Sequence, residues 1–216
     1  ALKGLPSVYT EKTEEAETLQ ITLKDALTCL KVVLSYTVMK GYDVIVRSAH
    51  FINEGEQKLK LLRALSMSMD FDHCDYDLIT LSGSWIRERH EVRRALVNGT
   101  QSIESRRGAS GHCENPFMAL VSKDAGEELG EVYGFSLVYS GNFLASAEVD
   151  QYKITRVAMG INPVDFAWEL DAGDDFVTPE VVMVYSGKGI GEMSRTYHRL
   201  YRNRLARGMY RNAERP

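Results

Sequence analysis

The chain has 216 residues, of which 44% are hydrophobic and 26% are charged, a composition typical of a globular protein with a sizeable buried core. The net charge of −4 gives no long-range attraction to nucleic acid or to an anionic membrane. No apolar run approaches the roughly 20 residues that a membrane-spanning helix requires.

Apolar and polar residues alternate with a period of two along most of the chain, which predicts short β-strands. Turn residues such as Gly141-Asn142 and Asn162-Pro163 separate the alternating stretches. Many short strands at this spacing are typical of an antiparallel β-sandwich, so we expect a mainly β fold. In chain order the predicted strands cover residues 19–23, 30–38, 59–69 (interrupted at Arg63), 132–139, 144–149, 154–159, 166–170 and 181–185.

Two further predictions come from single positions in this pattern. Trp168 alternates with Phe166 and Leu170, which places it on a buried strand face. Asn98-Gly99 is the dipeptide preferred in two-residue β-hairpins, so we expect a hairpin turn there.

The pattern changes near Gly191, where apolar residues recur at helical spacing. Met193, Tyr197, Leu200 and Leu205 follow the i, i+4, i+7, i+12 spacing of one helix face. Seven arginines lie at residues 195–215, and the only acidic residue in that stretch is Glu214. We therefore expect a basic amphipathic helix whose supporting surface lies outside this chain.

Three stretches suggest cofactor, metal or disulfide chemistry, and each has a simpler interpretation. The glycines at residues 187–191 lack the third glycine of a dinucleotide fingerprint, so a plain strand-to-helix turn is favoured. The acidic residues at 70–77 match neither zinc nor calcium spacing, which favours a solvated connection. Cys29, Cys74 and Cys113 lack C-x-x-C spacing, which indicates reduced thiols in a cytoplasmic protein. No cofactor or metal is predicted.

The polar segment at residues 105–117 is a candidate contact region that contains Arg107, His112 and Asn115. A nucleophilic pair of Cys113 and His112 is disfavoured, because adjacent side chains diverge in strands and helices. A hydrogen-bonded loop at a domain or subunit contact is the preferred interpretation, and direct ligand contact is the alternative.

Trp85 is the best single candidate for a binding residue. It follows the small residues Ser82-Gly83-Ser84 and precedes the charged residues 87–89. A flat indole on a polar segment can stack on the C–H face of a sugar while charged neighbours bind its hydroxyls. The alternative is ordinary packing, the commoner role of tryptophan.

Long motifs in the chain resemble those of one enzyme family. The longest is Gly-Glu-Val-Tyr-Gly-Phe-Ser-Leu-Val-Tyr-Ser-Gly-Asn-Phe-Leu at residues 130–144, and others lie at residues 106–110, 149–152, 160–163, 178–180 and 197–202. From about residue 5 to residue 216 the chain resembles the N-terminal domain of family 36 glycoside hydrolases, the bacterial α-galactosidases. The resemblance implies a β-supersandwich of galactose mutarotase-like fold, then a connecting helix, then a (β/α)8 barrel that carries catalysis.

The resemblance also implies a division of labour. In such enzymes two barrel aspartates, one in a Lys-Trp-Asp-like motif, cleave terminal α-galactosides such as melibiose and raffinose with retention. Lys-Trp-Asp does not occur here, so no catalytic residue is assigned and the chain alone is expected to be inactive. The family's Leu-Ser-Gly-x-Trp segment reaches the galactose pocket, which implies substrate binding by Trp85 and a weaker role for Arg87. The chain departs from the family pattern at Gly111, Cys113 and Glu114, so no contact of these side chains is carried over.

The expected organisation is an N-terminally incomplete β-supersandwich at residues 1–188 and a linker helix at residues 189–216 that leads to a barrel absent from the chain. The implied partners are a galactoside, that barrel and further copies in a homotetramer, in the cytoplasm, without nucleic acid or membrane. The alternative is a self-contained carbohydrate-binding or interaction module. The apolar helix face favours the first hypothesis, because a self-contained sandwich would not leave such a face exposed.

Overall fold

The structure, a computed structural model, describes residues 5–209 and 211–214 and confirms the mainly β fold. Within these residues no helix has the length and apolar character needed to cross a membrane. The first half of the chain forms a short 3-10 helix (Thr13–Glu15), β1 (Ala16–Lys24), β2 (Leu30–Met39), β3 (Val44–Asn53), β4 (Leu59–Leu61), β5 (Leu65–Phe71), β6 (Tyr76–Ser84) and β7 (Arg87–Ala95). The second half forms β8 (Gly99–Glu104), β9 (Glu114–Ser122), β10 (Val132–Leu137), β11 (Phe143–Val149), β12 (Thr155–Ile161), β13 (Trp168–Leu170), β14 (Asp175–Val177), β15 (Val181–Ser186) and helix α1 (Gly189–Arg204).

The strands form a wide sheet, a narrow sheet and a small ribbon. The wide sheet has nine strands in the order β1-β2-β3-β15-β10-β9-β6-β7, with β14 also paired to β3. The narrow sheet has four strands in the order β5-β12-β11-β8, and the ribbon joins β13 to β4. Chain neighbours such as β6 and β7 pair as hairpins, whereas β15 lies between β3 and β10, far from both in sequence. The expected antiparallel sandwich is therefore confirmed, with one sheet much wider than the other.

Two apolar cores lie on opposite faces of the wide sheet. The core between the sheets includes Phe135 and Phe143, which are at most 1% exposed. The second core lies under α1 and includes Val182 and Leu200, both fully buried. Successive side chains of a strand point to opposite faces, so the central strands supply apolar residues to both cores.

Helix α1 packs on the wide sheet of its own chain, which corrects the prediction that its supporting surface lies elsewhere. Met193, Tyr197 and Leu200 are at most 6% exposed, and all three belong to the second core. The Tyr197 hydroxyl donates a hydrogen bond to the Val182 carbonyl oxygen at 3.0 Å. The helical spacing is confirmed, but spacing identifies an apolar face without identifying the surface that covers it.

The basic residues of this segment also find partners within the chain. Arg204 pairs with Glu15 at 2.8 Å, and Arg211 pairs with Glu11 at 3.0 Å. Both acids precede the first strand, so these ion pairs join the two ends of the described chain. Arg215 lies outside the described residues.

Two local predictions are wrong. The turn at Asn98-Gly99 does not close a hairpin, because β7 belongs to the wide sheet while β8 pairs with β11 in the narrow one. Gly99 has φ of 95°, and the turn carries the chain from one sheet to the other. Trp168 is 48% exposed, because its short strand belongs to the two-stranded ribbon with β4. Its indole packs against the Phe176 ring.

Candidate functional site

Trp85 lies at the tip of the hairpin formed by β6 and β7. Ser84 pairs with Arg87, so Trp85 and Ile86 form a two-residue turn between the strands. The Trp85 side chain is 76% exposed and the Ile86 side chain 71%. Trp85 therefore contributes nothing to either core of the chain, and the packing interpretation is wrong for the described residues.

The turn has an unusual backbone for its sequence. Ile86 has φ of 64°, in the left-handed region that glycine and asparagine favour and β-branched residues avoid. The Ile86 amide is held by the carboxylate of Glu88 at 2.9 Å. A residue in this region costs on the order of 1–3 kcal/mol and persists where surrounding contacts fix it. Such backbone strain clusters at functional sites, which makes the tip a candidate site.

Gly83 holds the hairpin tightly against the loop that precedes β9. Its amide donates a hydrogen bond to the Cys113 carbonyl oxygen at 3.0 Å. A Cβ atom at residue 83 would lie 2.3 Å from the Arg87 carbonyl oxygen and 3.0 Å from that of His112. Only glycine fits between two backbone segments at these distances.

Both strand pairings of β6 are irregular next to this glycine. The register of β6 with β7 shifts between Ser82 and Ser84, and its register with β9 shifts between Thr80 and Ser82. On β9 the irregular stretch contains Pro116, which cannot donate a ladder hydrogen bond. Bulges of this kind bend a strand and re-aim its side chains, and they are frequent beside active sites.

The loop of residues 105–113 packs beside the hairpin and is tied down by its own hydrogen bonds. The Gly108 amide donates to the Asn142 side-chain oxygen at 2.7 Å, and the Ser110 amide donates to the Ser140 carbonyl at 2.8 Å. The Arg107 guanidinium donates to the Cys113 sulfur at 3.2 Å. Residues 105–113 form the expected hydrogen-bonded loop, and Asn115 already belongs to β9, while the expected domain or subunit contact stays a prediction.

A small cleft of about 310 Å³ opens in this loop. Its lining residues are Glu104, Ser105, Arg106, Arg107, Gly111, Cys113 and Glu114. A hydrogen bond from the Asn162 side chain, with a smaller contribution from Arg106, keeps the pKa of Glu104 below its usual value. The cleft therefore carries both charge signs at neutral pH, which suits hydroxyl-rich or polar ligands better than a purely anionic one.

The five predicted site residues do not all face the same space. Trp85 and Arg87 lie at the exposed hairpin tip, and the His112 backbone lies beside Gly83. Arg107 lines the loop cleft, whereas Asn115 lines a separate groove on the side of α1. The structure thus brings Trp85, Arg87 and the His112 backbone to one corner of the sandwich and places Arg107 and Asn115 in two flanking depressions.

The groove that contains Asn115 is a feature that the sequence analysis missed. It measures about 660 Å³ and runs between α1 and β6, β7 and β9. Its walls combine apolar and charged side chains: Leu81, Phe117, Ile190 and Tyr201 with Arg89, Glu91 and Arg195. No local pattern could reveal it, because its lining residues come from six separate stretches of the chain.

The glycine loop and the acidic connection have the simple roles expected of them. The amides of Gly189, Ile190 and Gly191 donate to the carbonyl oxygens of Gly130, Gly126 and Glu127, so the start of α1 is occupied by backbone acceptors. The acidic stretch joins β5 to β6. Within residues 5–209 and 211–214, no three acidic, histidine or cysteine side chains are grouped as metal ligands.

Comparison with known proteins places the chain in a family. A sequence profile described as the glycosyl hydrolase family 36 N-terminal domain matches residues 1–171. The chain belongs to glycoside hydrolase family 36. A second profile, described as melibiase, matches residues 175–216. The chain spans about 30% of the length of the curated family 36 relatives that it matches.

Two curated relatives illustrate how much of the family 36 chain is shared. The α-galactosidase AgaA of Geobacillus stearothermophilus is 62% identical over 215 residues, which cover all of this chain and 30% of AgaA. The α-galactosidase Mel36A of Lactobacillus acidophilus is 42% identical over 215 residues, which cover all of this chain and 29% of that protein.

Solved structures agree with the architecture. A crystal structure of AgaA in complex with stachyose superposes with a TM-score of 0.98, covering all of this chain and 30% of AgaA at 62% identity. The α-galactosidase of Lactobacillus brevis gives 0.97 at 43% identity, with 29% of its chain covered. A putative aldose 1-epimerase of Escherichia coli gives 0.50 at 7% identity over 82% of this chain and 67% of its own, a likeness of fold alone. The mainly β, mutarotase-like fold is therefore confirmed.

Proposed function

We propose that this chain is the non-catalytic N-terminal portion of an α-galactosidase that hydrolyses terminal α-galactosides such as melibiose and raffinose with retention. The relatives named α-galactosidase support this activity, as do AgaA crystals in complex with stachyose and raffinose. Catalysis in the whole enzyme would come from a pair of carboxylates about 5 Å apart, on a barrel beyond residues 189–216. The sandwich would supply a pocket wall and domain contacts.

The observation that carries this proposal is the exposed indole of Trp85. It is 76% exposed at a turn that Gly83 and Glu88 hold in place. A rigid aromatic ring can stack on a sugar with little loss of conformational entropy, and stacking needs no charge from the protein. Arg87 follows on the same turn, and Arg107 and His112 belong to the adjacent loop, where they could bind hydroxyl groups or a neighbouring domain.

The exposed helix face that the sequence predicted does not distinguish the α-galactosidase portion from a self-contained carbohydrate-binding module. The wide sheet of the same chain covers the apolar face of α1, so this face is no argument against an independent module. Leu19 and Leu23, which share one face of β1, are however 62% and 52% exposed. A domain complete in itself would not leave this face open, which favours the α-galactosidase portion.

We also propose the cytoplasm as the location and a homo-oligomer, such as a tetramer, as the assembly. All three cysteines are free, which suits a reducing compartment. An exposed hairpin tip is well placed to reach a pocket on another domain or on another copy.

The reading frame downstream of Pro216 tests the proposed activity without any assay. We expect a (β/α)8 barrel in which one strand carries a Lys-Trp-Asp-like motif. A downstream sequence without such a barrel would contradict the α-galactosidase proposal and favour the binding module.

Gly83→Ala in the full-length enzyme tests whether the hairpin geometry positions Trp85. The added Cβ would meet the Arg87 carbonyl oxygen at 2.3 Å, so the strands must separate and the tip must move. We expect kcat/KM for p-nitrophenyl α-galactoside to fall about tenfold or more, since small displacements of a binding group are costly. Gly111→Ala is the matched control, because a Cβ there meets no atom within 4 Å. Equal kinetics of the two variants would refute the positioning role.

A further inference from the structure

The turn between β7 and β8 contains the one Asn-Gly dipeptide of the chain, Asn98-Gly99. Both residues are exposed, and Gly99, with φ of 95°, has no atom within 4 Å of the position that a Cβ would take. An asparagine carboxamide reacts with the backbone nitrogen of the next residue where nothing shields that nitrogen, and glycine shields it least because it has no side chain. The turn therefore presents a reactive pair of amides to water.

The Lys153 ammonium contacts the carboxamide of this pair. Its Nζ atom donates a hydrogen bond to Asn98 Oδ1 at 2.6 Å, although the two residues lie 55 positions apart in sequence. Lys153 belongs to the turn between β11 and β12, where it has φ of 65°. The Asp150 carboxylate fixes that turn, because it accepts hydrogen bonds from the amides of Tyr152 and Ile154 at 2.8 and 2.9 Å. The fold thus holds a positive charge at the oxygen of the reactive carboxamide.

A cation at this oxygen favours attack on the carboxamide carbon. The ammonium draws electron density from the carbonyl group and stabilises the negative oxygen that forms on attack, as an oxyanion hole does in acyl transfer. The same charge favours loss of the Gly99 amide proton, which has to leave for the nitrogen to attack. Because the contact is exposed, its effect is smaller than in a buried site and decreases with salt.

We propose that Asn98 is a site of spontaneous deamidation that Lys153 activates. The Gly99 nitrogen loses its proton to water and attacks Asn98 Cγ, which forms a C–N bond and places the negative charge on Oδ1 beside Lys153. The bond from Cγ to Nδ2 then breaks, and Nδ2 takes up a proton and leaves as ammonia. Water opens the resulting cyclic succinimide at either carbonyl group, which gives aspartate or isoaspartate at residue 98.

The product changes both the charge and the backbone of the turn. Among residues 5–209 and 211–214 the Lys153 ammonium forms no ion pair, so the new carboxylate gives it a counter-charge. Isoaspartate also inserts an extra carbon atom into the backbone before Gly99, where the chain crosses from the wide sheet to the narrow one and Gly99 pairs with Val149. Formation of isoaspartate therefore disturbs the start of β8.

Prolonged incubation of the full-length protein in mildly alkaline buffer tests the site. Peptide mass spectrometry detects the small mass increase of deamidation and separates the aspartate and isoaspartate peptides. We expect Asn98 to give both products. The matched control is Asn142, whose carboxamide oxygen also accepts a hydrogen bond but which precedes Phe143, and it should stay unchanged over the same period. Native protein in which Asn98 stays unmodified while the urea-unfolded protein converts would overturn the proposal.

Changes at Lys153 test the activation. We expect native Lys153→Met to deamidate about tenfold more slowly than the native wild-type protein, and Lys153→Arg, which keeps the charge, to retain most of the rate. In urea the contact is lost, so all three proteins should react at equal rates. Equal native rates of Lys153→Met and wild type would contradict the activation, and a Lys153→Arg rate as low as that of Lys153→Met would contradict the requirement for charge.

Salt dependence tests the same activation without a variant. Added salt should lower the deamidation rate of the native wild-type protein relative to that of the urea-unfolded protein, because it screens the exposed ammonium. A ratio of native to unfolded rates that does not change with salt would overturn the role of the Lys153 charge.

Discussion

Trp85→Ala in the full-length enzyme is expected to lower kcat/KM for p-nitrophenyl α-galactoside by about 5- to 150-fold. This range corresponds to roughly 1–3 kcal/mol, the free energy of burying an aromatic surface against a ligand. The effect should appear mainly in KM if the indole contacts substrate and transition state equally, and in kcat if stacking tightens during the reaction. Steady-state kinetics over a range of substrate concentrations separate the two.

Two variants at the same turn make this prediction specific. Trp85→Phe keeps a ring and should recover a large part of the activity, whereas Ile86→Ala removes an equally exposed apolar side chain and should leave kcat/KM within about twofold. The two tip residues are 76% and 71% exposed, so a general loss of apolar surface would affect both variants alike. Wild-type kinetics in Trp85→Ala would remove the basis for a stacking role.

Leu200→Ala is expected to destabilise the sandwich by about 2–5 kcal/mol, the usual cost of a cavity at a fully buried leucine. Leu200 is 0% exposed and belongs to the core between α1 and the wide sheet. The loss should appear in denaturant unfolding as a lower midpoint with an unchanged slope.

Arg202→Ala is the matched control on the solvent side of the same helix, where Arg202 is exposed. A change at an exposed helical position should stay within about 0.5 kcal/mol. If Leu200→Ala were as mild as Arg202→Ala, α1 would not be part of the sandwich core in solution, and its supporting surface would lie outside this chain, as the sequence pattern suggested.

Local patterns predicted the strands better than they predicted the sheets. The alternation at residues 144–149 and 181–185 corresponds to β11 and β15, because burial on alternate sides leaves a period of two. The position of β15 between β3 and β10 depends on contacts between residues far apart in sequence, which no local period contains. The same limit explains the error at Asn98-Gly99, where the turn residues are present but the flanking strands belong to different sheets.

Burial was the other property that periodicity could not supply. Leu19, Ile21 and Leu23 alternate as a core strand does, yet each is at least 42% exposed within the described residues. The predicted burial of Trp168 is wrong for the same reason, since its strand belongs to a two-stranded ribbon. Alternation shows which residues share a face, whereas the covering layer is a tertiary property.

The candidate site was identified by residue type rather than by geometry. The small residues before Trp85 were noted without predicting a turn, and Gly83 proves necessary for the approach of two backbone segments. The left-handed conformation of Ile86 was unpredictable, because β-branched residues rarely adopt it. The flanking cleft and groove assemble from separate strands and could be found only in three dimensions.

The most direct test of the division of labour compares two purified polypeptides, the full-length protein and the 216-residue chain, on p-nitrophenyl α-galactoside. We expect turnover with release of α-galactose by the full-length protein, as retention requires, and no turnover above background by the 216-residue chain. Reproducible activity of the 216-residue chain in pure material would contradict the assignment of all catalytic residues to the barrel.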